Sequence, residues 1–298
     1  MACCRRAIGA DPTDLYPDGD AGPFQAALHA SGAETSVLSW DDPGAAWHSF
    51  THVVLSSTWD SVDRPAEYLR WARSVSTVST LINPVDIIEW NLDKVHQREL
   101  AAAGVPVIPT TWVAPGEVWE PPTGSEFVVK PSVSAGGRNT ARYAAGDDAA
   151  YAHVRRLQAR GQTVMVQDHL SAVDTDGEVD LVFFAGTFSH AVLKQPLLQL
   201  GEGVVEQHPW ERMAWSGLAT PSAEQLAVAD TTMAFVSRRF DGPPAYARVD
   251  LITGPAGTSL VIEVELIDPY LSLDLAPAAA LRWARAVLRE SQSDTVTV

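Results

Sequence analysis

At 298 residues with 46% apolar and 19% charged side chains, the chain is long enough for a large core divided among two or three units, which excludes intrinsic disorder as its main state. Its 37 acidic against 21 basic side chains give a formal charge of −16, so phosphate backbones and anionic lipid are repelled; no nucleic-acid or membrane partner is expected. The two cysteines, Cys3 and Cys4, are adjacent and match no metal-ligand spacing, and no apolar run nears the ~20 residues of a membrane span, so a reducing cytoplasm is the expected setting.

A short strand near Ala7 and Ile8 opens the chain, followed by a loop in which Pro12, Pro17 and Gly19 break any period. A helix over 24–32, strands over 35–40 and 52–56, and a helix over 64–78 lead to Leu81-Ile82-Asn83-Pro84 and make a small α/β unit of residues 1–90. The pattern then changes. A helix over 92–103 capped by Gly104, the extended stretch GVPVIPT, strands over 127–130 and 163–167 and a helix over 147–161 form a second unit, residues 91–170. The third unit, 171–298, begins with strands over 179–184 and 188–194 joined by Ala185-Gly186-Thr187. An irregular loop over 195–217 follows, then a helix from the Ser222/Gln225 capping box to Phe240, a second hairpin over 245–252 and 260–267, and a closing helix over 276–290.

The second hairpin carries the most chemistry. With a side-chain period of two, Arg248 and Asp250 share one face, as do Glu263 and Glu265, while Val249, Leu251, Ile262 and Val264 take the other. A turn centred between Ala256 and Gly257 places Asp250 beside Glu263 and Arg248 beside Glu265. Adjacent carboxylates over a buried sheet repel, and one guanidinium does not satisfy three, so a divalent cation is expected between them; all-oxygen donors favour Mg²⁺ or Mn²⁺. Solvated strands with incidental ion pairs are the competing explanation.

Lysine usage points the same way. Among 21 basic side chains only Lys94, Lys130 and Lys194 are lysines, and a compact ammonium suits phosphate oxygens where a planar fork does not. Lys130 ends the run FVVKP just before the loop 132–139, whose Ser132, Ser134, Gly136 and Gly137 can fold over a polyphosphate, and Lys194 ends the run SHAVLK. Neither GxxxxGK[ST] nor GxGxxG occurs, and HExxH and GxSxG are also absent. Trp210 and Trp215 are candidate pocket walls, and substrate recognition is expected from the loops at 195–217 and 11–23.

Taken in order, NLDK with Lys94, GVPVIPT, FVVKP with Lys130, the SVSAGG loop, VQDHL and RVD…IEVEL resemble the ATP-grasp superfamily of carboxylate-amine ligases across residues 90–275. The spacing of Asp250, Glu263 and Glu265 equals that of the metal ligands in the dipeptide ligases of cell-wall synthesis, although those enzymes usually carry Asn where Glu265 stands. With SWDDP, SSTWD and NPVDIIEWNLDK included, the chain is most similar to the branch that contains the O-ureido-D-serine cyclo-ligases of D-cycloserine biosynthesis.

The resemblance implies an α/β (α+β) ATP-grasp fold: a small N-terminal α/β domain, a lid subdomain and a C-terminal antiparallel-sheet domain. ATP would lie between two sheets, with Lys94 and Lys130 on its phosphates, Gln167, Asp168, His169 and Leu170 on adenine, and Glu178 on ribose. Asp250, Glu263 and Glu265 would hold two Mg²⁺ (or Mn²⁺) ions, Arg248 would stabilise oxyanion charge, and Lys194 would touch the transferred phosphate or the substrate. The implied substrate is a small amino-acid-like molecule, and a homodimer is compatible with the family. An intermolecular amino-acid or dipeptide ligase, a small-molecule kinase on the same scaffold, and a non-catalytic nucleotide or metal sensor stay open as alternatives.

Overall fold

The computed structural model describes residues 1–4, 19–205 and 215–293. The first layer contains β1 (Ala2–Cys3), α1 (Ala21–Ala30), β2 (Leu38–Ser39), β3 (His52–Val54), α2 (Pro65–Ser76) and β4 (Thr80–Ile82). β1 pairs in parallel with β2, β3 with β4, and a parallel bridge between Ala2 and Leu55 joins the pairs into one small sheet. Pro65, preset for the first helical turn, starts α2, which buries Tyr68, Ala72 and Val75 on one face at helical spacing. The strand expected at Ala7 and Ile8 falls outside the described residues.

The helix expected over 92–103 is broken. α3 (Val85–Asn91) and α4 (Gln97–Ala102) flank a 3₁₀ turn, Lys94–His96, whose preceding Asp93 accepts a hydrogen bond from the Val95 N–H (3.0 Å). An Asp in that position competes with the helical ladder for backbone donors and starts a new turn. Of the helix expected over 92–103, residues 97–102 form α4 and the stretch before them tightens into the 3₁₀ turn that carries Lys94, while α3, capped by Pro84, is a separate helix ahead of it.

The lid sheet contains β5 (Thr110–Val113), β6 (Phe127–Pro131), β7 (Ala141–Tyr143) and β8 (Val164–Asp168) in the order β5-β8-β6-β7, all antiparallel. α5 (Ala149–Ala159) covers one face, burying Val154 and Leu157 against Phe127, Val129 and Val166. After the short α6 (Val173–Asp176) come β9 (Glu178–Phe184), β10 (Thr187–Lys194), β11 (Trp215–Ala219), α7 (Ala223–Arg239), β12 (Tyr246–Thr253), β13 (Ser259–Glu265) and α8 (Ala279–Ser293). Their five strands form an antiparallel sheet in the order β11-β10-β9-β12-β13. Ala185 and Gly186 both take positive φ (47° and 73°), the twist that a two-residue hairpin needs, and Ser222 and Gln225 make both bonds of the capping box. The irregular loop is shorter than expected, since β11 pairs with β10 through Leu193 and Gly217.

Two buried asparagines hold the first layer to this sheet. Asn83 donates to the Tyr246 and Leu266 carbonyls (2.9 and 2.7 Å) and accepts from the Ala245 N–H (2.8 Å); Asn91 donates to the Val264 carbonyl and accepts from the Leu266 N–H, both at 2.8 Å. Around them Phe24, Ile82, Val182, Tyr246, Leu271 and Trp283 share one apolar core, each contributing about 1.5–3 kcal/mol by leaving water. The ends of β12 and β13 are therefore rigidly placed relative to Lys94. No helix among the described residues is long and apolar enough to cross a membrane.

Candidate active site

Between the lid sheet and the C-terminal sheet lies a cleft of about 940 Å³, including its open mouth, and all three lysines of the chain reach it. Lys94 arrives from the 3₁₀ turn: its Nζ sits 2.9 Å from Glu263 Oε1 and donates to the Ser134 carbonyl at 2.6 Å. Lys130 stands near the end of β6. Lys194 ends β10, directly opposite Glu178 on β9, and donates to Glu178 Oε2 at 2.8 Å. Ser134, Gly136, Gly137, Gln167, Asp168, His169 and Leu170 also line this cleft. Ser132 does not. It is buried with its N–H on the Thr163 carbonyl and its own carbonyl on the Lys94 N–H, so it shapes the loop and lines a cavity on the loop's other side.

A second compartment of about 680 Å³ adjoins the first and shares Lys94, Ser134, Gly136 and Glu263 with it. Arg248, Glu263 and Glu265 form one wall; Trp59, Ser61, Asp268 and Tyr270, from the segments that follow β3 and β13, form another. Of the loop at 195–217, expected to shape the substrate pocket, Pro196, Leu197 and Leu198 line the first cleft, and residues 206–214 fall outside the described residues. Trp210 and the Trp215 side chain fall outside the described residues.

The hairpin register places Arg248 opposite Glu265 and Asp250 opposite Glu263, as expected, by a route the sequence did not show. The turn is a 3₁₀ turn, Pro255–Gly257, centred on Ala256 rather than between Ala256 and Gly257, and it pairs Leu251 with Val261. A bulge between Asp250 and Leu251 then adds one residue and restores the pairing at the acidic end.

Arg248 meets these carboxylates as expected, and Lys94, expected on phosphate, joins it there. Arg248 grips Asp250 with two bonds (Nε to Oδ1, 2.7 Å; Nη2 to Oδ2, 2.8 Å) and reaches Glu265 Oε1 at 2.7 Å, while Lys94 takes Glu263. A further carboxylate joins them that sequence reading missed. Asp180, fully buried, pairs with Asp250 across β9 and β12, and its Oδ2 is 3.8 Å from Arg248 Nε. The signal was present in the same period of two: Glu178-x-Asp180 puts both acids on one face of β9. Five carboxylates, Glu178, Asp180, Asp250, Glu263 and Glu265, thus meet four cations, Lys94, Lys130, Lys194 and Arg248.

Their charge states follow from this packing. Burial, with the like charge of Asp250, pushes Asp180 up to about 7 against the pull of Arg248. Burial also lifts Glu265 to about 8, with Arg248 opposing and Glu263 adding to the rise. For Glu263 burial works upward too, but Lys94 and Lys130 outweigh it and hold the group down at about 2. Burial lowers Lys130 to about 8, whereas for Lys194 the carboxylates Glu178, Asp180 and Asp250 overcome burial and raise it.

Asp250, Glu263 and Glu265 each offer an oxygen within 4.8 Å of the others, and Glu178, Asp180 and Asp250 make a second such group. The donors are all carboxylate oxygens with no nitrogen or sulfur, which fits a hard divalent cation of the Mg²⁺ or Mn²⁺ kind.

A family model described as the N-terminal domain of the D-cycloserine synthetase DcsG matches residues 2–83. The cycloserine biosynthesis protein DcsG of Streptomyces lavendulae is 36% identical over 291 residues, covering 94% of this chain and 97% of that protein. The chain belongs to the DcsG family. The crystal structure of D-cycloserine synthetase DcsG superposes with a TM-score of 0.86 at 34% identity, covering 97% of this chain and 98% of that one. At the level of fold alone, a RimK-domain ATP-grasp protein from Sphaerobacter thermophilus gives a TM-score of 0.63 at 15% identity over 96% of this chain and 98% of its own. The DcsG-family chain is therefore an ATP-grasp ligase, a class that forms carbon–nitrogen bonds, and the two compartments and their charges are to be understood on that basis.

Proposed function

We propose that this DcsG-family ligase uses ATP to activate the carboxylate of O-ureido-D-serine as an acyl phosphate and then closes the ring of D-cycloserine. The observation that carries the reading is the meeting of all three lysines with the acidic hairpin at Lys94 and Glu263, on the shared wall of a nucleotide-sized cleft and a smaller compartment.

In this reading residues 91–170 serve as the lid and 171–298 as the catalytic sheet, with residues 1–90 closing the substrate side. Gln167, Asp168, His169 and Leu170 hold adenine, partly through backbone groups, and Glu178 holds ribose. Lys94, Lys130 and the N–H groups around Ser134, Gly136 and Gly137 hold the phosphates. Bound at Asp250, Glu263 and Glu265, divalent ions would supply neutralisation of phosphate charge next to the reacting carboxylate. The substrate carboxylate lies in the second compartment by Arg248, whose bonds to Asp250 and Glu265 fix the fork, and its oxygen attacks the γ-phosphorus as ADP leaves. Lys194 balances charge on the transferred group. The nitrogen bound to the side-chain oxygen of the same molecule then attacks the acyl carbon, Arg248 stabilises the tetrahedral oxyanion and phosphate departs; water then adds to the carbamoyl carbon and breaks its bond to the ring nitrogen, which takes the proton, and the carbamic acid released falls to CO2 and ammonia, leaving the five-membered ring. The setting is the cytoplasm.

The test is ADP release with Mg²⁺ and ATP across a panel of amino acids that includes O-ureido-D-serine, with products identified by mass. ADP in step with a cyclised product supports the assignment. ADP with an amide of another amino acid keeps the ligase and discards the substrate.

A further inference from the structure

The loop that covers the phosphate region is tied to the substrate side of the molecule by one arginine. Arg138 follows Gly136 and Gly137, and its side chain is only 12% exposed. It crosses to the first layer, where Nη1 donates to both oxygens of Asp63 (2.7 and 3.0 Å) and Nη2 donates to the Trp59 carbonyl (3.3 Å). Trp59 and Ser61, a few residues upstream of Asp63, line the second compartment. From behind, the loop is held by the 195–205 segment: the Asn139 N–H donates to the Val205 carbonyl at 2.7 Å, and a Cβ added to Gly137 would stand 2.5 Å from Leu197. Within the cleft the Ser134 carbonyl rests on Lys94.

The loop is thus placed by groups of three different segments, and Arg138 is the loop side chain that reaches the stretch bordering the second compartment. A planar guanidinium with one nitrogen on a carboxylate and the other on a backbone carbonyl fixes orientation as well as distance. We infer that Arg138, clasped by Asp63 and the Trp59 carbonyl, is the positioning residue that registers the glycine loop against the substrate compartment, so that water is kept from the acyl phosphate until the nitrogen attacks. This rests on the ligase reading above. The side reaction it prevents is attack of water on the acyl carbon, which breaks the bond to phosphate, returns the free carboxylate and releases phosphate, consuming one ATP without product.

Two variants and two readouts test it. Arg138→Gln removes the fork; Asp63→Asn removes only its partner, whose side chain is 52% exposed, so the fold is retained. With MgATP and O-ureido-D-serine the ratio of ADP formed to product cyclised should rise at least about fivefold in Arg138→Gln, the lower end of ordinary coupling between sites. It should rise less in Asp63→Asn, and Arg138→Lys should recover part of the loss. Hydrogen exchange of residues 133–139, measured with a non-hydrolysable ATP analogue alone, should be faster in both variants than in the parent. Unchanged ratios with a lower kcat, or unchanged exchange of the loop, would overturn the clasp. If the parent releases no ADP with O-ureido-D-serine, the substrate assignment fails and the exchange measurement still decides the clasp.

Discussion

Replacing Lys130 with Met should make the nucleotide-free protein more stable while abolishing its affinity for ATP. Lys130 is 9% exposed, and burial draws its pKa from the ordinary 10.5 to about 8. In the unfolded chain the group keeps its proton to near 10.5, so between about 8 and 10.5 the unfolded state binds the extra proton and rising pH favours the fold. Below that window the buried ammonium costs about 3 kcal/mol, because each tenfold loss of proton affinity is worth about 1.4 kcal/mol. Met fills a similar shape without charge. Part of the gain is offset because Glu263 loses the second of the cations that hold it ionised, Lys94 being the first, leaving about 2 kcal/mol, or about 3 °C in Tm for a chain of this size. Thermal melts of parent and variant without nucleotide, at intervals from about pH 7 to pH 10, give the comparison across that window. The variant should melt higher at neutral pH, the gap should narrow as the parent sheds its proton, and MgATP should raise the parent's Tm alone. A variant that melts below the parent at neutral pH, or a gap that stays constant through the window, refutes the reasoning.

Glu263→Gln removes the carboxylate shared by both compartments; turnover should fall at least about a hundredfold, while ATP binding measured calorimetrically in EDTA should not weaken, since a negative charge beside the phosphates is gone. Activity within a factor of ten would contradict the assigned role. Asn83→Ala strands three buried backbone groups and should cost about 3–6 kcal/mol, visible as a large drop in the urea midpoint. The lid carries an acid weakness: His153, lowered to about 4 by burial and by Arg156, lies between the Tyr143 hydroxyl and the Asn139 carbonyl. Its unfolded form takes up a proton near 6.5, so stability should fall by about 3 kcal/mol as pH drops from 6.5 to 4. His153→Gln should flatten that decline in a pH series of melts, and a variant that tracks the parent would show the loss to lie elsewhere.

Much of the site was legible because its chemistry is local and repetitive. Alternation along Arg248–Asp250 and Glu263–Glu265 puts charge on one face whatever the rest of the chain does, and the rarity of lysine marks Lys94, Lys130 and Lys194 without reference to a fold. The capping box at Ser222 and the positive-φ turn at Ala185-Gly186 were readable for the same reason: each is satisfied within four residues.

Beyond the Arg248–Glu265 pair of the hairpin, the chain's order did not contain the partner of each charge. Which cation answers Glu263 depends on a break in the helix at Asp93, and the place of Asp180 depends on β9 lying beside β12, across 70 residues of sequence. The correct register of the acidic pair came from a bulge cancelling a shifted turn, two local irregularities whose sum alone is visible in the ladder. Ser132, indistinguishable from Ser134 by composition, is buried out of the two compartments that Ser134 lines, with its backbone committed to Thr163 and Lys94. Residue type and periodicity therefore decided which side chains carry charge and on which face. Long-range packing decided which charges neutralise one another, since Coulomb energy and desolvation depend on distances that no spacing along the chain specifies.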